Sequence, residues 1–463
     1  MVTASPVSRR LAEFAAGTRF SALSAAAVGD TRRAILDWLG SALAGALEPP
    51  ARIVRQVVES LGRSEEATVF GGRRSAAANA ALANGVASHI LELDDVHKGS
   101  TLHAAAPIIP AALAVAEREH RSGEDFILAV ALGYDAALRI GEAVNPSHYR
   151  FWHPTGTAAT FGAAVAAGSL LGLDGATMLD ALGSAGTQAA GLWEFNADGA
   201  MSKHLHPGKA AFNGVLAADL ARLGFTGATR ILEGERGFFR ATSTDADLSR
   251  VTDGLGDRWK VSENCYKLHS CCGHTHSAID MALDYRTSAG GTGRLADLAA
   301  VDVATYASGY EIVKQQNPRT PYQAKFSLAY CVAAALLEGR VGLDQFSPDR
   351  FSEHGVTDPA FGTLLERIRI TVDPAITARY PAEWGTRVRF TRGDGSTTEL
   401  AAAFPRGNPE NPVSTPMLEA KFRELVAVRL GADVAERAIA AVGALERTAD
   451  MATVFADLAP MRS

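Results

Sequence analysis

Apolar residues recur at three- and four-residue spacing almost without a break through the first quarter of the chain. This constrains the fold more than any other feature, because such spacing buries one face of a helix. In residues 28–44, Ile35, Leu36, Leu39 and Leu43 share one side while Asp30, Arg32 and Arg33 take the other. Residues 51–61 repeat the pattern, Val69-Phe70-Gly71-Gly72 breaks it, and residues 75–83 resume it with small side chains. Further helices are expected from Pro107, whose ring suits an early helical position, and over 126–137, 158–171 and 210–223. Aromatics make up only 7% of the chain while 44 residues are glycine, so these helices must meet through close backbone approach. At 463 residues the chain exceeds one ordinary core, which implies two or three domains.

The texture changes after residue 265. Residues 301–307 and 367–372 alternate as strands, and 386–391 pairs with 397–401 across the turn Arg392-Gly-Asp-Gly-Ser. Helices over 279–285 and 324–337 fall between them, giving an α+β module. A breaker-rich linker from Phe404 precedes helices over 417–430 and 432–442. Their return to the opening texture places them against the first helices. The expected fold class is therefore mostly α: a helical domain over 1–265, an α+β domain over 266–404, and C-terminal helices over 405–463 packing back on the first.

Acids exceed bases slightly, 51 against 45, and no basic patch or like-charge block speaks for nucleic acid. Four cysteines in so long a chain do not form a disulfide framework and fit a reducing compartment. The N-terminus lacks a signal-like apolar run, and no stretch reaches the length of a membrane span. A cytoplasmic protein without membrane or nucleic-acid partners is expected.

Titratable residues concentrate in four stretches. The first runs from His89 through Glu92, Asp94, Asp95 and His97 to His103. Carboxylate beside imidazole raises the histidine pKa and fixes its tautomer, although Asp94 or Asp95 could equally cap a helix end. His103 is the one polar group on an apolar shoulder. The second, Trp152-His153-Pro154-Thr155-Gly156-Thr157, is a tight turn presenting a single imidazole. In the third, Lys203 stands with His204 and His206 ahead of an expected Pro207-Gly208 turn. A lysine among imidazoles in a dry site has its ammonium form disfavoured, the usual route to a lysine that accepts a proton. The fourth, from Cys265 to His276, packs Lys267, His269, Cys271, Cys272, His274 and His276 into a dozen residues.

With Lys325-Phe-Ser-Leu-Ala-Tyr330-Cys331 as a fifth motif, these stretches resemble the MmgE/PrpD family over nearly the whole chain. That family includes 2-methylcitrate dehydratase, cis-aconitate decarboxylase and iminodisuccinate epimerase. The resemblance implies a large helical domain built from both chain ends, a smaller α+β lid, and a homodimer. It also implies an active site in the cleft between the domains that needs neither metal nor organic cofactor. Carried over by position, it assigns site roles to His103, His153, Lys203, Lys267 and Tyr330. The chain departs from the decarboxylase-type pattern at Glu92, at Val96–His97 where a threonine is absent, and at Cys272 where a histidine is expected. These departures favour dehydration or epimerisation over decarboxylation.

Cations and imidazoles around one site suit a small di- or tricarboxylic acid. A base removes the proton next to a carboxylate, donors hold the enolate-like intermediate, and an acid decides the outcome. His153 and Lys203 are the expected base and acid, in either order, with His103 as relay or donor held by Asp94 or Asp95. Lys267, Cys272, His276, Tyr330, His206 and His97 are expected to bind or shape the substrate. Rival readings are a zinc enzyme using Cys272, His274 and His276, whose spacing lacks the usual paired separations, and a Cys–His nucleophile or Lys203 Schiff base. A non-catalytic polycarboxylate-binding protein is a third.

Overall fold

A computed structural model of the chain describes residues 6–290, 297–455 and 458. The chain is mostly helical, with a four-stranded mixed sheet and a two-stranded pair among the described residues. Contacts gather it into two units. One holds the chain through Ile90, Asp94–Cys265 and the segment from Ser414; the other holds Leu91–Leu93 and Tyr266–Val413.

In the first unit the helix Ala25–Gly45 buries Ile35, Leu36, Leu39 and Leu43, the residues its spacing singled out. Ser24 caps it by accepting from the Ala27 amide at 3.1 Å, satisfying one orphan donor of the first turn. The Gly123–Val144 helix opens on a reciprocal Ser122–Asp125 capping box. Against Ala25–Gly45 lies the helix Thr415–Leu430, tied by the Lys421 Nζ to Asp37 Oδ1 ion pair at 2.6 Å, both residues buried. Removing one partner of such a pair leaves an uncompensated buried charge, a loss of about 3–5 kcal/mol.

The structure corrects one element that bears on the site. Lys203-His204-Leu205-His206-Pro207-Gly208 is no turn; it forms the opening turns of a single helix, Ser202–Arg222. Pro207 removes one amide near the start of this helix. Gly208 is needed because the helix Ala77–His89 passes against it. A Cβ on Gly208 would lie 2.6 Å from the Leu82 carbonyl oxygen, and one on Gly85 would lie 2.8 Å from the Gly208 Cα. The Pro-Gly pair marks a helix crossing.

In the second unit the sheet order is Ile368–Val372, Leu298–Thr305, Thr386–Arg392, Thr397–Ala402. The first pair is parallel and the other two antiparallel, with Val301 opposite both Ile368 and Phe390. Alternation along Leu298–Thr305 turns Val301 and Val303 inward, where Val388, Phe390 and the helices His276–Ser288 and Leu328–Glu338 complete one core. The helix expected over 324–337 is split. Ser327 ends the short turn Pro321–Lys325 and caps Leu328–Glu338 by accepting from the Tyr330 amide at 3.1 Å. Among the described residues no helix is long and apolar enough to cross a membrane.

Candidate active site

In the helical unit, four histidines converge from three segments. The helix Ala77–His89 ends on His89, whose ring is fully buried. Its Nδ1 lies 2.7 Å from Asp94 Oδ2, and the same oxygen is 3.4 Å from His103 Nδ1. His103 Nδ1 also lies 2.6 Å from the Asp95 carbonyl oxygen, and the His103 amide donates to Thr155 Oγ1 at 3.1 Å. Both rings therefore turn Nδ1 toward oxygen acceptors, which sets the tautomer. The two ring centroids are 4.8 Å apart.

His153 is aimed by the turn the sequence foretold. Its amide donates to the Gly191 carbonyl and its carbonyl accepts from the Gly156 amide, each at 2.9 Å. Its Nδ1 lies 3.0 Å from His206 Nδ1, its ring 5.8 Å from His89 and 4.9 Å from Trp193. Lys203 and His206 stand on the opening turns of Ser202–Arg222, so the helix crossing at Gly85 and Gly208 carries His89 and Lys203 together. Burial, reinforced by His89, His206, Lys203 and His103, holds His153 well below the usual histidine pKa. Burial, then His89, Lys209 and Lys203, brings His206 down to about 4. Burial thus disfavours the charged form of both rings.

Two residues of the first motif do other work. The Asp95 carboxylate accepts from Tyr134 Oη at 2.6 Å, Asn264 Nδ2 at 2.7 Å and the Ala105 amide at 3.1 Å. Burial raises its pKa to about 7 against those donors. It braces the following helix and meets His103 through its main-chain carbonyl. His97 turns to Glu142 and Glu263, at 3.6 and 3.5 Å, in a network that Lys260 bridges at 3.0 and 2.8 Å. It belongs to that acidic cluster, with its amide bonded to the Leu102 carbonyl so that the loop carrying His103 closes.

The second unit has its own polar centre. Lys267 Nζ lies 3.5 Å from Glu92 Oε2, both side chains buried, and Glu92 holds a left-handed backbone at φ +59°. Such a conformation is costly for a residue with a Cβ and persists where the surroundings over-determine it. The Cys272 amide donates to the Lys325 carbonyl at 2.9 Å, and Lys325 Nζ donates to the Leu91 carbonyl at 3.0 Å. Burial pushes the Cys272 thiol up to about 11, and Tyr322 is raised chiefly by burial, then by Glu92 and Cys272. A thiol so held is a poor nucleophile. His276 opens the helix His276–Ser288 and is buried, its Nε2 donating to the Cys271 carbonyl at 3.3 Å and its ring edge-on to His269. Tyr330, expected at the substrate, lies in the core instead. Its ring packs on Phe346, Phe351 and Phe361 and its hydroxyl donates to the Gln345 carbonyl.

Sequence reading placed His89 in the first stretch without a role and gave none to Trp193 or Tyr322, which the structure sets beside His153 and Glu92. His89 had a usable signal: a histidine at a helix end five residues before a buried aspartate. Trp193 and Tyr322 carried none, because an aromatic on a loop is ordinary until its neighbours are known. Among the described residues two sets of side chains have metal-ligand spacing, His89–His103–His153 and His97–Glu142–Glu263. Cys272, His274 and His276 do not form one; His274 Nδ1 is taken by Tyr306 Oη at 2.5 Å.

Models of the MmgE/PrpD N-terminal domain and the MmgE/PrpD C-terminal domain match residues 9–251 and 269–447. A cis-aconitate decarboxylase-like protein of Aspergillus oryzae is 27% identical over 452 residues, covering 91% of each chain. Cis-aconitate decarboxylase of Aspergillus terreus is 29% identical over 421 residues, 84% of this chain and 83% of that one. The Homo sapiens cis-aconitate decarboxylase is 28% identical over 449 residues, 94% and 90% of the two chains.

Proposed function

The chain belongs to the MmgE/PrpD family, and from that premise we propose a lyase-type enzyme acting at the carbon next to a carboxylate of a small di- or tricarboxylic acid. The observation that carries this reading is the partly buried His153–His206 contact beside Lys203 and the His89–Asp94–His103 group. Imidazoles beside a buried lysine side chain are suited to moving a proton to or from carbon. Two outcomes follow from one kind of intermediate, a carbanion beside a carboxylate. In dehydration the base takes the proton, the C–H electron pair becomes the C=C bond, and the hydroxyl, protonated by the acid, leaves as water. In decarboxylation the C–C bond breaks, carbon dioxide departs, and the same acid protonates the carbon. In the second unit, the buried Lys267–Glu92 pair, with Cys272 beside it, is a centre of its own whose cation suits a carboxylate.

The relatives' names put cis-aconitate at the head of the substrate panel. Glu92 and Cys272, where the decarboxylase-type pattern differs, keep citrate, 2-methylcitrate and iminodisuccinate beside it; epimerisation of the last would return the proton to the opposite face. Incubation of each acid with the protein in deuterated water tests the reading. Deuterium is expected at the α-carbon, in recovered substrate where the reaction is a reversible dehydration and in product where it is an epimerisation or a decarboxylation, with turnover reduced about 100-fold or more in Lys203→Ala and in His153→Ala. Near-normal turnover in both folded variants would overturn the assignment.

A further inference from the structure

The three imidazoles at the centre of the helical unit have a geometry that proton transfer alone does not require. One ring nitrogen each from His89, His103 and His153 falls within 4.8 Å of the others. Each ring is oriented from behind at Nδ1: His89 by Asp94 at 2.7 Å, His103 by the Asp95 carbonyl at 2.6 Å, His153 by His206 at 3.0 Å. Carboxylate or carbonyl at one nitrogen, with the other facing a common point, is how ligating histidines are held. His89 is completely buried, yet its Nε2 has no hydrogen-bond partner among the described residues. A buried acceptor in that state calls for a ligand or water to satisfy it.

We propose that His89, His103 and His153 form a three-imidazole site for a borderline divalent cation such as Zn²⁺, with Asp94 and the Asp95 carbonyl fixing the ligand tautomers. Zinc–nitrogen bonds of about 2.0–2.1 Å require each ring tip to move inward by roughly 1 Å, leaving the fourth position to water or a substrate carboxylate. Imidazole-only ligation selects Zn²⁺ or Co²⁺ over Mg²⁺ and Ca²⁺, which take oxygen. The alternative set, His97–Glu142–Glu263, is already bridged by Lys260, whose ammonium a cation would have to displace. Because the ion would occupy the nitrogens assigned to proton transfer, it is an inhibitor of that chemistry, reversed by chelation. The site shares residues with the proposed catalytic centre, so it is tested by binding, without turnover.

The full chain, freed of metal by chelator dialysis, is titrated with Zn²⁺ against a chromophoric indicator. One tight Zn²⁺ per chain is expected, weakened about 10-fold or more in His89→Ala and about 10- to 100-fold in Asp94→Asn, and unchanged in His97→Ala. Co²⁺ in place of Zn²⁺ should give the visible bands of tetrahedral nitrogen ligation without a thiolate charge-transfer band. Absence of a tight site, loss of it only in His97→Ala, or a thiolate band would each overturn the proposal. If His89→Ala does not fold, as judged by circular dichroism, His103→Gln replaces it with the same expected loss.

Discussion

At the scale of single residues, two adjacent aspartates divide the labour. Asp94 Oδ2 faces His89 and His103, whereas the Asp95 carboxylate accepts from three donors of the scaffold, Tyr134 Oη, Asn264 Nδ2 and the Ala105 amide. Asp94→Asn keeps the shape but loses the charge that fixes the His89 tautomer. Turnover should fall about 10- to 100-fold with the denaturation midpoint nearly unchanged. Asp95→Ala should do the reverse. It strands the Tyr134 hydroxyl, the Asn264 amide and the Ala105 amide in a dry place, at about 1–3 kcal/mol for a stranded group, but keeps the main-chain carbonyl that holds His103. Turnover per folded molecule should stay close to wild type while the urea midpoint drops. Equal loss of activity in both variants would erase the distinction. The sequence showed both carboxylates beside imidazoles and offered capping as the alternative. Which residue took which role depended on Tyr134 and Asn264, 39 and 169 positions away, and no local pattern carries that.

At the scale of elements, helical spacing alone located the long helices, because each buries a continuous stripe and sets its own period. It failed at Pro207-Gly208, where a turn signature was outweighed by a tertiary contact. There the backbones of Ala77–His89 and Ser202–Arg222 come so close that only glycine fits at positions 85 and 208. Gly208→Ala places a methyl 2.6 Å from the Leu82 carbonyl oxygen and from Val86 Cγ2, so the helices must part. Overpacking of this kind costs about 1–3 kcal/mol. Since one helix ends on His89 and the other begins around Lys203, the same shift should lower turnover as well. Urea denaturation and kinetics on Gly208→Ala measure both; a neutral result in each would show that the crossing is loose. The split of the helix expected over 324–337 has a local cause that spacing cannot register, the Ser327 side chain capping from inside an apolar run.

At the scale of the whole molecule, buried titratable groups pull stability in opposite directions with pH. His148, fully buried, is pushed down to about 4 by burial, although its bond to the Thr242 carbonyl works the other way. Its Nε2 lies 2.8 Å from Thr157 Oγ1, which is also 3.3 Å from the His153 carbonyl, so it braces the turn that aims His153. Burial raises Asp95 and Glu117 to about 7. For a histidine with a depressed pKa, the unfolded chain takes up the proton first as pH falls below about 6.5, so stability is lost between pH 6.5 and 4. For a carboxyl with a raised pKa, the folded chain keeps its proton longer, so stability is lost as pH rises from about 4 to 7. The two sets oppose each other across this window. A single substitution exposes one component. His148→Gln removes the titration along with the bond, so its deficit against wild type should be larger at pH 7 than at pH 4. The difference should reach at most roughly 3 kcal/mol, about 2.5 pKa units at 1.36 kcal/mol each. Urea midpoints for both proteins at the two pH values decide it. A deficit that does not change with pH would mean that His148 titrates normally in the folded chain, and that the turn holding His153 is open to water.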